Sequence, residues 1–162
     1  MVTVVERVGR VMALDHGSRR IGVALSDELG MLASPLCILQ PHAVDRVSAV
    51  VAVAQEHDAV EILVGLPKTL HGEIGPQARR VERFVQTLRN AIDTPVRVWD
   101  EGYSTAEARA RLAENRKPYA GRHRRAQQAP MHVDAVAAAV ILQEYLDWRR
   151  SSSSSSPSSP SA

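Results

Sequence analysis

The chain has 162 residues, a net charge of +2 and 44% hydrophobic residues, of which few are aromatic. That length suits one compact domain of about 100 to 200 residues, and an apolar fraction dominated by Val, Leu, Ile and Ala points to an α/β protein. No apolar run approaches the roughly 18 residues of a membrane span, and the N-terminus MVTVVERVGR lacks the long uncharged stretch of a signal peptide, so a cytoplasmic protein without a membrane partner is expected. Charge near neutrality does not announce a nucleic-acid binder, so that case must rest on where the cations sit. The single cysteine, Cys37, excludes an internal disulfide or a cysteine-rich zinc site and reads as a core thiol.

In chain order, residues 10–15 form a short apolar run. After the turn-like His16, Gly17, Ser18 and Arg19, a second run at 21–25 reads as its hairpin partner. A third extended stretch is expected at 31–39. Residues 43–57 place Val44, Val47, Val50, Val51 and Ala54 at helical spacing. The β-branched run 60–64 empties into Gly65, Leu66 and Pro67, the pattern of a buried strand entering a loop. A helix is predicted over 77–91, with Ala78, Val81, Val85 and Leu88 on one face, and Pro95 opens a strand at 96–100. Ser104, Thr105 and Glu107 mark a helix start, giving a helix to about Glu114. Residues 115–130 carry Arg116, Lys117, Arg122, Arg124 and Arg125 among Pro and Gly, the composition of a basic loop. A long final helix is predicted over 131–148. Residues 1–150 form the expected domain, a mixed sheet with helices on both faces, and the Ser/Pro-rich tail 151–162 is expected to stay outside it.

Asp15 ends the first strand, and Asp100 and Glu101 end another, so two strands deliver acids to a sheet rim, where α/β sites form. Asp134 opens the final helix ahead of Ala135 to Ala139, small residues around Val136 that permit close helix-to-sheet approach. Singly, Asp134 also fits a helix start and Asp100 a turn; together the acids suit phosphodiester hydrolysis. Two Mg²⁺ ions about 3.5 to 4 Å apart can activate a water and stabilise the attacking and leaving oxygens, and Mg²⁺ needs few carboxylates because it keeps waters and takes substrate phosphate.

In four ordered segments the sequence resembles the YqgF/RuvX family of Holliday-junction-resolvase-like proteins: 14–27 (LDHGSRRIGVALSD), 62–67 (ILVGLP) with Gly72, Asp100 and Glu101 with 104–108 (STAEA), and 133–138 (VDAVAA). The resemblance spans 10–148. It implies a five-stranded RNase H-like sheet, bacterial cytoplasmic location, divalent-metal nuclease activity with Mg²⁺ or Mn²⁺, and maturation of the 5' end of pre-16S ribosomal RNA. The family's acidic positions fall on Asp15, on Asp100 and Glu101, and on Asp134. The metal ligands expected are Asp15, Asp134 and, because neighbouring strand residues face opposite ways, only one of Asp100 and Glu101; Glu101 is the one taken, and alternation by itself does not choose between them. Two departures stand out: Gly102 follows the acid pair where members often carry Arg, and Met131 stands where related resolvases tend to carry another acid.

For substrate binding, Gly17 would let backbone N–H groups approach an anion, with Ser18 and Arg19 steadying a phosphate; a solvated hairpin tip competes with that reading. Lys68 and His71 sit beyond another strand end, although His71 also fits an ordinary surface histidine. Arg122, Arg124 and Arg125, with Tyr119 for stacking, are candidates for gripping RNA. His123 and His132 read as surface histidines. Three other functions share these features. An actin-like ATPase would need a second lobe for which the chain is too short, a non-catalytic nucleic-acid or transcription partner would leave the acids idle, and a resolvase cutting branched DNA would need a symmetric dimer. Monomer and homodimer both remain open.

Overall fold

A computed structural model of the chain describes residues 9–42, 45–66, 75–100 and 131–153. Its elements are β1 (Val11–His16), β2 (Ile21–Ser26), β3 (Ala33–Leu39), α1 (Arg46–Glu56), β4 (Glu61–Leu66), α2 (Pro76–Ala91), β5 (Val96–Asp100) and α3 (Met131–Ser153). The five strands form one mixed sheet in the order β3-β2-β1-β4-β5. β1 pairs antiparallel with β2 and parallel with β4, which places it at the centre. The expected helix at 104–114 and the basic loop at 115–130 lie outside the described residues.

The pleat divides β1 between two cores. Met12 and Leu14, with Ile21 and Val23 of β2, pack under Val50 and Ala54 of α1 and Val81, Phe84, Val85 and Leu88 of α2. Val11 and Ala13, with Ala24 and Leu63, pack under Ala138, Ala139, Ile141, Leu142, Tyr145 and Leu146 of α3. Burial of each large aliphatic side chain contributes about 1.5 to 3 kcal/mol. β4 is covered on both sides, and Ile62, Leu63 and Val64 are all fully buried, which explains its unbroken apolar run. Cys37 is half-buried at the edge of the α1/α2 core, where burial pushes its thiol pKa up.

Two of the boundaries that differ from the sequence reading have a visible cause. β3 starts at Ala33 because the preceding residues close a tight loop: Met31 N–H and Leu32 N–H donate to Asp27 Oδ1 at 2.7 and 3.2 Å, and Asp27 N–H donates to Leu32 O at 3.0 Å. α3 continues through Ser153, three residues into the segment assigned to the tail. The hydroxyls of Ser151, Ser152 and Ser153 donate to the carbonyls of Asp147, Trp148 and Arg149, so these serines satisfy the helix end locally. At the far side of α3, buried Gln143 accepts from Ala33 N–H at 2.9 Å and donates to Met31 O at 3.1 Å, which fixes the helix against β3. No helix among the described residues is long and apolar enough to cross a membrane.

Candidate functional site

Two acids meet where β1 ends. Asp15 follows Val11 and Ala13 on the α3 side of the sheet and pairs across the ladder with Gly22. A Cβ built on Gly22 would lie 2.0 Å from the backbone O of Asp134 and 2.9 Å from Ala135 N. The first turn of α3 therefore rests directly on the bare backbone of β2, a distance that only glycine permits. This approach sets Asp134 beside Asp15. Burial first, and then the Asp134 charge, raise the Asp15 pKa above its ordinary value. Asp134 itself sits in the first turn of a helix, where the dipole favours a negative charge.

The second strand's acids divide as the pleat requires. Val96 belongs to the α1/α2 core and Trp99 packs on the α3 side. Asp100, one residue beyond Trp99 and paired with Leu66, thus falls on the face opposite Asp15. Glu101 lies outside the described residues, as do Lys68, His71, Arg122, His123, Arg124 and Arg125. Among the described residues no three His, Cys, Asp or Glu side chains gather into a metal-binding group. The described pair nonetheless fits a hard cation: a carboxylate whose pKa is raised by burial and then by a neighbouring negative charge is favoured in its ionised form by a divalent ion beside it, and oxygen donors are what Mg²⁺ and Mn²⁺ take.

On the other face of the same strand end the charges reverse. His16 points away from Asp15 and packs, tilted, against Phe84 of α2 with ring centroids 4.5 Å apart. Arg46, the first residue of α1, reaches back to the β1–β2 turn. Its guanidinium donates to Gly17 O at 2.8 Å, to Ser18 O, and to His16 Nε2 at 3.1 Å. That last bond requires a neutral imidazole, and burial, then the Arg46 charge, lower the His16 pKa to about 4. His16, Ser18 and Arg46 line an open basin together with Arg80 and Arg83 of α2.

At the turn itself one backbone donor is already committed. Gly17 N–H donates to Arg20 O at 2.8 Å, so it closes the hairpin and is not turned toward an anion. The absent Cβ is needed because it would sit 2.8 Å from that same oxygen. Ser18 and Arg19 are exposed at the tip. The sequence reading missed Gly22, Arg46, Arg80 and Arg83. A signal existed for Arg46: a cation at the first position of a helix opposes the dipole and calls for another reason to be there.

A family model described as RuvX, Holliday junction resolvase, matches residues 9–148. The chain belongs to this family. A relative from Roseiflexus sp. (strain RS-1), provisionally named a pre-16S rRNA nuclease, is 44% identical over 88% of the chain and 96% of its own length. One of the same name from Halothermothrix orenii is 39% identical, covering 86% and 96%. Among solved structures, Thermus thermophilus RuvC in complex with a Holliday junction substrate superposes with a TM-score of 0.55 at 15% identity, covering 88% of this chain and 96% of that one. The five-stranded sheet is thus RNase H-like, as the RuvX family resemblance implied.

Proposed function

We propose that the chain is a divalent-metal-dependent nuclease that matures the 5' end of pre-16S ribosomal RNA in the cytoplasm. The observation that carries this reading is the Asp15–Asp134 pair, brought together by the contact of α3 with Gly22. The names of the relatives supply the substrate. Asp15 and Asp134 would hold the ion, with Glu101 in preference to Asp100 as a third ligand, since Asp100 lies on the opposite face. Bound Mg²⁺ or Mn²⁺ would lower the pKa of an attacking water and stabilise charge on the phosphate oxygens. Asp15, half-buried with a raised pKa, keeps its carboxylate partly out of water, so a cation finds fewer competing solvent contacts there. Ser18 and Arg19, at the exposed hairpin tip, are assigned to the substrate backbone, as are Lys68, Arg122, Arg124 and Arg125.

The family description favours one second reading, cleavage of four-way DNA junctions. The test offers the purified chain a precursor-RNA 5' segment and a mobile four-way junction at equal concentration, with Mg²⁺, with Mn²⁺, and with a chelator. Faster RNA cleavage that the chelator abolishes is the expected result. Faster, symmetric cutting of the junction would overturn the substrate assignment, and activity undiminished by the chelator would overturn the metal assignment.

A further inference from the structure

The basin on the α1/α2 side of the β1 end is cationic, with no acid among the described residues of its lining: His16, Ser18, Arg46, Arg80 and Arg83 form one part, and Gly17 and Gln77 extend it along the turn and the first turn of α2. Arg46 is bound to the turn through three acceptors, so it acts as scaffold as well as charge. Arg80 and Arg83 stand three residues apart on the exposed face of α2 and therefore on adjacent turns. Among the described residues neither makes an ion pair. Their guanidinium forks face a concavity in which three like charges repel one another, an arrangement that a tetrahedral oxyanion relieves by accepting paired N–H bonds. The acid pair and the basin are reached from consecutive residues, Asp15 and His16, whose Cα atoms are about 3.8 Å apart, and they open on opposite faces of one rim.

We infer that this basin seats a backbone phosphate of the bound nucleic-acid strand away from the cleaved bond, so that the strand bends round the β1–β2 hairpin with one phosphate over the acids and another on Arg80 and Arg83. The inference rests on the nuclease reading for its ligand. Contacts of this kind position a strand and carry no base sequence. Gly17 and Ser18 then serve as the corner around which the strand turns, held in shape by Arg46.

The test is binding of a fluorescent 12-nucleotide single-stranded RNA to the full chain in the presence of a chelator, measured by polarisation over a salt series. Wild type is compared with Arg80→Ser/Arg83→Ser and with Arg79→Ser, an exposed cation of α2 outside the basin lining. The double variant is expected to bind about tenfold more weakly and to lose about 0.7 from the slope of log K against log salt, the release expected for one single-strand phosphate. Arg79→Ser is expected to keep the wild-type slope. An unchanged slope in the double variant, or an equal loss in Arg79→Ser, would overturn the seat, the second result pointing to a diffuse field. Two further arms separate other occupants. Inorganic phosphate that protects the basin arginines from guanidinium-modifying reagent while RNA does not would assign it to a free anion, and protection by a polyglutamate peptide alone would assign it to an acidic protein surface; either overturns the proposal. Because no cleavage occurs under chelation, a chain that binds as expected but never cuts RNA would sink only the nuclease reading.

Discussion

The two faces of the sheet meet at the end of β1 and are built by opposite means. On the α3 face, small residues set the geometry: Gly22 on the sheet and Ala135, Ala138 and Ala139 on the helix allow close approach, and Asp134 comes near enough for its charge to act on Asp15. On the α1/α2 face, long cationic side chains reach across open space to a turn and a basin. A close-packed contact fixes charge at a point, as a metal site needs, whereas extended arginines spread charge along a surface, as a flexible phosphate backbone needs.

The largest expected effect comes from breaking the first of these. Gly22→Ala places a Cβ 2.0 Å from a backbone oxygen that has no soft side chain to move aside. The helix must shift, at a cost of about 3 kcal/mol, and nuclease activity should fall on the order of a hundredfold through misplacement of Asp134. Denaturant unfolding and initial cleavage rates check both, and unchanged activity in a destabilised variant would separate packing from function.

Arg46→Met tests the other face. It removes the charged donor from Gly17 O and Ser18 O while keeping some of the apolar stem, and should lower stability by about 1 to 2 kcal/mol, reduced from the value for buried charged hydrogen bonds because the site is part-exposed. Cleavage should weaken chiefly through KM, as the hairpin tip loosens, and a drop confined to kcat would contradict this role.

The smallest effects sharpen the contrast through pH. Asp15 has a folded pKa raised above 3.8, so the folded state binds the extra proton and this residue makes stability decline as pH rises from about 3.8 through the folded value. His16 is lowered from 6.5 to about 4, so the unfolded state binds the extra proton and its contribution is lost as pH falls from 6.5 toward 4. In metal-free buffer, Asp15→Asn should therefore gain stability over wild type as pH rises above 3.8, and His16→Gln should flatten the loss below pH 6.5. Denaturation midpoints in half-unit pH steps give both curves, and parallel curves for all three proteins would refute the opposed environments.

The sequence carried the succession of the described strands and helices along the chain, the buried β4 run and the rim position of Asp15, because hydrophobic periodicity and strand-end acids are local signals. Met12 and Leu14 against Val11 and Ala13 could be split between faces by alternation alone. The meeting of Asp15 with Asp134 was legible only as an expectation from Ala135 to Ala139, since the partner surface, Gly22, lies more than a hundred residues away and its lack of a side chain leaves no chemical mark. The part Gly17 plays was only half legible for a related reason: glycine signals freedom without saying whether its own N–H faces a ligand or closes a turn, and here that N–H bonds Arg20 O. Arg80 and Arg83 look like ordinary solvated helix cations until α1 and the β1–β2 turn are seen beside them. Ser151 to Ser153 fit a disordered composition, yet each hydroxyl finds a carbonyl one turn back.

The pairing of Asp15 with Asp134 is tested most directly by a double-mutant comparison of RNA cleavage rates in saturating Mg²⁺. Asp15→Asn and Asp134→Asn should each cost at least about a hundredfold, the scale on which even supporting groups of metal sites act. The double variant should be no slower than the worse single one, because two ligands of one ion fail as a unit. Losses that multiply in the double variant, or a single variant at wild-type rate, would contradict a shared site.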